Sequence, residues 1–272
     1  MLRIPLTGLM AASKDLSAVS NNLANASTTG FKKSSAEFGD IMASAMEGRP
    51  GVDAGLGANT IDVKRSTEQG SFQQTGNSLD LALQGGGYFV FGDSLTTQGE
   101  ANLSYSRAGS LTLNPQGYLV DQGGAPVMGN TVLAGGLVGA NLQPINLFSG
   151  ITDPTQINSI SVDNSGIISV TTADGTTKQV ASLALARFEN EDGLQDDGNS
   201  KFSPTGSSGA ALYGRAGTDG FATVSAGNLE NSNVDVTSEL LRMIQDQQAY
   251  NGNSRALQTG SDMIRSLTEQ MA

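Results

Sequence analysis

The sequence predicts an α+β protein, with an α-helix at each end, the two paired as a coiled coil, and a mainly-β body between them. Three observations carry this. Leucine recurs every seven residues at the start of the chain, at Leu2, Leu9, Leu16 and Leu23. Apolar residues recur every seven at its end, at Val236, Met243, Tyr250, Leu257, Ile264 and Met271. The middle breaks into short alternating runs set off by Gly, Ser, Thr and Asn, the pattern of strands joined by turns.

The first helix is supported by a second register, Pro5, Ala12, Val19 and Ala26, three residues after each leucine, which completes an a/d seam with small partners. Pro5 falls in the first turn, where its missing N–H costs little. Asn25 and Gly30 are placed to stop the helix in left-handed conformations. Both lie in a dense polar run, "NNLANASTTGFKKSS" (21–35), which is unusual so soon after an amphipathic helix. The glycine-rich "EGRPGVDAGLGANT" (47–60) has weak periodicity and reads as an extended linker or hairpin tip.

The strands follow in order. "LDLALQGGGYFVFG" (79–92) alternates, breaks at three glycines and resumes as an apolar run. "LSYSRAGSLTLNPQGYLVD" (103–121) reads as strand, turn and strand, with Pro115 second in the turn Asn114–Gly117. Residues 157–188 give three strands, with turns at Asp163–Gly166 and Asp174-Gly175. Residues 191–220 read as loop, acidic at first. The last helix is capped by Asp235 or Thr237. Leu240, Gln247, Ser254, Ser261 and Thr268 lie four residues after the first five members of its seam, so the second register is mostly small or polar. Two amphipathic helices lying on a globular body would show similar periodicity. A strict seven-residue repeat favours a helical partner, so the helices are expected to pack on each other and on neighbouring subunits.

Composition restricts the chemistry. The 272 residues include no Cys, His or Trp, which removes disulfides, thiolate and imidazole metal sites, and the commonest general base. Net charge is −11, and residues 49–235 hold eighteen acidic against eight basic residues, a surface that repels nucleic acid. The N-terminus lacks the long apolar stretch and cleavage site of a secretory signal peptide. Gly85-Gly86-Gly87 lacks the lysine of a phosphate loop and reads as a turn. Gly55-Leu56-Gly57 follows no clear strand, so a dinucleotide fingerprint is discounted. Asp163–Gly166, and Glu191-Asp192 with Asp196-Asp197, do not match a calcium loop and read as solvated turns. No catalytic constellation, cofactor, metal, nucleic acid or small-molecule substrate is expected.

The polar run carries a resemblance. Asn21-Asn22-Leu23-Ala24-Asn25, then Thr28, Gly30, Phe31 and Lys32, is similar to the N-terminal signature of the bacterial flagellar rod and hook axial proteins. "GNLENSNVDVTSELLRMIQDQQAYNGNSRALQT" resembles the family's C-terminal segment. "QGSFQQTGNSLDLALQGGGYFVF" and "YSRAGSLTLNPQGYLV" resemble its central sheet segments. The resemblance implies an inner coiled-coil domain (1–30 with 235–272), a linker or hairpin region (31–70) and an outer β-rich domain (71–234). It implies helical self-assembly into a hollow tube that transmits motor torque. The implied partners are copies of the chain, the other rod, hook, junction and cap proteins, and the type III export apparatus, which takes its cargo without a cleaved signal.

Within that family, "SSAEFGDIMASAM" looks hook-like, and a short hook-type protein is the first expectation. The length matches a distal rod protein, the alternative. From other classes, a secreted β-rich adhesin and a carboxylate-dependent hydrolase remain as lesser readings. The polar run is expected to satisfy an open, turning backbone and to reach adjacent subunits.

Overall fold

The leucine-spaced segment forms one helix, α1 (Arg3–Ala24), and the C-terminal segment a longer one, α2 (Val236–Met271). The computed structural model describes residues 2–42, 55–95, 102–131, 142–149 and 157–271. Most of the glycine-rich stretch 47–60 lies outside the described residues. The chain divides into two compact units. A terminal unit comprises Met1–Ala26, Lys32–Ser66 and Val234–Ala272, and a β unit comprises Ser27–Phe31 and Thr67–Asn233. The polar run is therefore shared between them.

In the terminal unit, α1 packs against α2 and against a two-stranded antiparallel ribbon, β1 (Ser34–Met42) and β2 (Gly55–Arg65). These two long strands lie within residues 31–70, and the stretch that joins them falls outside the described residues. α1 ends at Asn25, whose N–H reaches the carbonyls of Asn21 and Asn22 at 3.1 Å. Asn25 has φ −103°, so it closes the helix without the expected left-handed turn. The left-handed residue is Gly30, at φ +69°. Asp235 caps α2, accepting from Thr237 N–H at 3.0 Å and from Ser238 Oγ at 2.8 Å. The Ser238 hydroxyl, then the Thr237 N–H, hold its carboxyl below the usual carboxylate range.

The β unit contains sixteen short strands among its described residues. They are β3 (Phe72–Gln74), β4 (Leu81–Gln84), β5 (Tyr88–Gly92), β6 (Leu103–Ser106), β7 (Leu111–Leu113) and β8 (Leu119–Asp121), then β9 (Met128–Thr131), β10 (Gln143–Pro144), β11 (Ile157–Val162), β12 (Ile167–Thr172) and β13 (Thr177–Arg187). The last five are β14 (Gln195–Gly198), β15 (Lys201–Ser203), β16 (Leu212–Arg215), β17 (Thr223–Ala226) and β18 (Asn228–Glu230). Strand β13 is the centre. One edge pairs with β9 and then β5, and the other with β12 and then β16, all antiparallel. The three strands expected over 157–188 are the meander β11–β12–β13, and the turn expected at Asn114–Gly117 joins β7 to β8. β4 and β5 flank the three glycines but do not pair, since β4 joins β17 while β5 joins β6 and β13.

A strand buried on both faces needs apolar residues without alternation, and "YFVFG" and "VASLALA" supply them. Phe89, Phe91, Leu183 and Leu185 form one core with Leu81 and Leu83. Tyr88, Val90, Ala184 and Ala186 turn to a second core with Tyr105, Phe188 and Phe202. There Tyr105 and Phe188 meet edge-to-face at 4.8 Å, and Tyr88 meets Phe202 at 5.8 Å. Each fully buried Leu or Phe contributes about 1.5–3 kcal/mol. Residues 191–220, expected as loop, instead form β14, β15 and β16 and a short 3-10 turn. In β15 the anchor is Phe202, 2% exposed, which lets a polar strand add to the edge of β6.

Candidate assembly surface

The two helices run antiparallel, and their contacts recur at about every second turn. Asn22 Nδ2 donates to Glu239 Oε2 at 3.2 Å. Arg242 grips Asp15 with two bonds, Nη2 to Oδ1 at 2.7 Å and Nε to Oδ2 at 3.2 Å. Gly8 leaves room for the Asn253 side chain, which would lie 2.7 Å from a Cβ there, and Gly260 does the same for Leu2 at 2.6 Å. On α2, Glu239, Asn253 and Gly260 therefore fall on one seven-residue row, which also includes Asp246 beside Asp15, with Arg242 flanking it. The sequence shows the seven-residue period, but this row lies three residues after each seam member, where polar residues conceal it.

Apart from Leu2, which packs on Gly260, the seam residues stand beside this contact. On α1 the second register is the inner one, with Ala12 buried and Val19 fully so. Leu2, Leu9, Leu16 and Leu23 are half-buried. On α2, Met243 and Leu257 are half-buried, while Val236, Tyr250 and Ile264 are 43%, 43% and 53% exposed. Met271 ends the helix. At 1.5 Å per residue, α2 is about 54 Å long and α1 about 33 Å. Beyond Gly260, residues 261–270 are exposed on every side, including Met263, Ile264 and Leu267. Among the described residues, every exposed large apolar side chain falls in the terminal unit except Phe72, Leu95 and Leu212. Apolar surface concentrated this way marks an interaction face.

Several motif residues have definite tasks in the backbone path. Asn22, 1% exposed, holds the chain in both directions at Ser34, donating from Nδ2 to its carbonyl at 2.8 Å and accepting its N–H at Oδ1 at 2.9 Å. Asn25 Nδ2 reaches back to the Asn21 carbonyl at 2.9 Å and its Oδ1 at 3.1 Å. Gly30 donates its N–H to the Glu230 carbonyl at 2.8 Å, and a Cβ there would lie 2.6 Å from Ala108 N. Thr28 accepts the Phe31 N–H at 3.3 Å through its carbonyl, and lies on a polar cleft where Lys201 and Asp121 pair at 2.7 Å. The Phe31 carbonyl accepts Asn233 N–H at 3.3 Å. Lys32 is 6% exposed.

The chain crosses between units near residues 27–31, 67 and 233, and the β unit ties these crossings together. Glu230, fully buried, accepts the Gly70 N–H at Oε1 at 3.0 Å and faces Arg107 Nη1 at Oε2 at 3.4 Å. The Arg107 guanidinium also stands 5.4 Å from the Tyr88 ring centroid. Asn231 N–H reaches the Ser71 carbonyl at 2.8 Å, and Asn233 Nδ2 the Glu68 carbonyl at 3.0 Å. Arg107 and Glu230 belong to separate motifs of the sequence. Their pairing, 123 residues apart, has no local signal.

Among the described residues, no cluster of three or more potential metal ligands is present, and no helix is long and apolar enough to cross a membrane. Asp163 is occupied by its own turn, accepting from Asn164 N–H at 2.7 Å and Ser165 Oγ at 3.0 Å. The described residues thus present a helix pair with exposed apolar faces and a β unit whose ends are tied by hydrogen bonds. Three family models match: "Flagella basal body rod protein" over residues 2–32, "Flagellar hook protein FlgE/F/G D1 domain" over 82–170, and "Flagellar basal body rod FlgEFG protein C-terminal" over 225–270. The chain is 34% identical to the flagellar basal-body rod protein FlgG of Caulobacter vibrioides, covering 98% of each chain. It is 32% identical to FlgG of Bacillus subtilis, covering 96% of this chain and 95% of that one. To the rod protein FlgF of Caulobacter vibrioides it is 28% identical, over 99% and 97%. The chain belongs to the flagellar basal-body rod and hook protein family, a non-catalytic structural family of the bacterial flagellum.

Proposed function

We propose that the chain is a FlgG-type distal rod subunit, polymerising helically into the hollow shaft that carries motor torque. The observation that carries this is the end-to-end match, at 34% identity and 98% coverage, to a protein named as a rod component. That support favours the distal rod alternative over the hook-type protein that residues 34–46 suggested. Family membership leaves no role for an adhesin or a hydrolase. The exposed apolar residues of α1 and α2 give the polymer its inner contacts, and the overhanging end of α2 reaches the next copy. Its remaining partners are the other axial proteins and the export apparatus that delivers them.

Ile264→Asp tests the reading. The side chain is 53% exposed, so the isolated chain should fold normally. In a polymer the new carboxylate would be buried without a partner, at several kcal/mol per subunit. In cells carrying only this variant, rods should stop short and motility should be lost, while the secreted or purified chain keeps its circular dichroism. Full-length rods built from Ile264→Asp subunits would refute the assembly surface. Side-chain density of this chain in the curved hook, instead of the straight rod, would refute the rod assignment alone.

A further inference from the structure

Asp246 lies on the contact row of α2 with its Oδ2 shut off from solvent and without a hydrogen-bond partner. The element packed against this helix is α1, whose charged residues are Arg3, Lys14 and Asp15. Arg3 and Lys14 are exposed, and Asp15 is buried in the seam. On α2 itself, Arg242 has its guanidinium fork engaged by Asp15, and Glu239 one turn earlier adds a further carboxylate. One guanidinium thus stands among three carboxylates, with its bonds spent on Asp15 and with Glu239 held by Asn22. With all three ionised, the cluster carries two uncompensated negative charges where the helices touch. A proton on Asp246 would remove one charge and turn the partnerless oxygen into a donor toward Asp15.

We propose that Asp15 and Asp246 share a proton in the formed helix pair, so that α1 and α2 pair more tightly in mildly acidic solution than at neutral pH. Burial, and after it the charge of Asp15, push the Asp246 carboxyl up from 3.8 to about 6. A carboxyl whose pKa is raised on pairing binds more protons in the paired state. Pairing is therefore strongest below about pH 4 and weakens as pH rises to about 6, where the support is lost. A shift of about two pH units corresponds to roughly a hundredfold in the pairing equilibrium. Part of that window lies below any convenient pH, and solvent screens a side chain that is only partly buried. The expected change between pH 4.8 and 7.5 is about fivefold.

The chain has no cysteine, so spin labels can be placed at Ser17→Cys and Gln245→Cys, both exposed, in the full-length monomer. Pulsed dipolar spectroscopy then reads the ratio of paired to open helices. In the parent this ratio should fall about fivefold from pH 4.8 to 7.5. In Asp246→Asn, an isostere of the protonated acid, it should stay high and flat. Asp15→Asn, which frees Arg242 for Asp246, should also flatten the profile. A flat parent profile, a parent-like profile in both variants, or loss of pairing in Asp246→Asn at every pH would each overturn the proposal. Any bearing on assembly rests on the proposed function. The measurement is made on the monomer, so it stands or fails separately from rod formation.

Discussion

Glu230→Ala tests whether the stem of the β unit is held by one buried charge pair. Glu230 is fully buried and Arg107 is 3% exposed. Truncating the glutamate strands the guanidinium over the Tyr88 ring and removes the acceptor of the Gly70 N–H, which sits 3.0 Å from Oε1. Breaking a buried pair from one side costs about 3–5 kcal/mol, because the other charge stays buried and uncompensated. For a unit of this size each kcal/mol lowers the midpoint by about 2–4 °C, so the β-unit transition in scanning calorimetry should drop by about 6–20 °C. Glu230→Gln keeps an acceptor for Gly70 and should fall less than Glu230→Ala. The double variant Arg107→Met with Glu230→Leu removes both desolvation terms and should recover at least half the loss. A drop of about 2 °C or less in Glu230→Ala, or a double variant no better than the single, would mean that Arg107 and Glu230 fill space without holding the crossings together.

Two glycines should respond in opposite directions. A Cβ at Gly109 would overlap the Leu81 carbonyl oxygen and approach the Phe89 ring edge at 2.9 Å. Neither the backbone nor a fully buried ring can yield cheaply, so Gly109→Ala should cost about 2–3 kcal/mol in urea denaturation. Gly252 lies in α2 with nothing within 4 Å of its added Cβ. Gly252→Ala should therefore stabilise the helix of the free chain by about 1 kcal/mol, read as a higher melting midpoint at 222 nm.

The period of the terminal helices was legible because leucines every seven residues mark one face whatever lies against it. The contact row was not. Between α1 and α2, Asn22, Asp15 and Gly8 meet Glu239, Arg242 and Asn253, and only Leu2, against Gly260, belongs to the leucine seam; hydrophobic periodicity cannot register the polar and glycine partners. The strands of the middle were legible wherever a turn has demanding chemistry, as at Asn114–Gly117, where Gly117 adopts φ +85°. They were hidden over 191–220, because β14 and β15 are edge additions with one buried anchor. Nor does a sequence show that β13 pairs with four strands, since that depends on how neighbours distribute along its two edges. An unbroken apolar run says only that both faces are covered.

The polar run shows why composition alone could pose its problem without solving it. Asparagine offers a donor and an acceptor on one planar group, so a single buried side chain can engage both the N–H and the C=O of another residue. Asn22 does this at Ser34 and still reaches Glu239. A hydroxyl of the same reach could not span all three partners, and a carboxylate would lack the donor. Gly30 is required by a different constraint, a left-handed backbone pressed against Ala108. Exchange of Asn22 and Gly30 would leave the composition unchanged and lose both functions. The side chain of Asn22 and the backbone of Gly30 are committed within the chain itself. On the proposed function, the exposed apolar faces of the two helices, where the seven-residue repeats run on past the contact that the chain makes with itself, are the surface offered to neighbouring subunits.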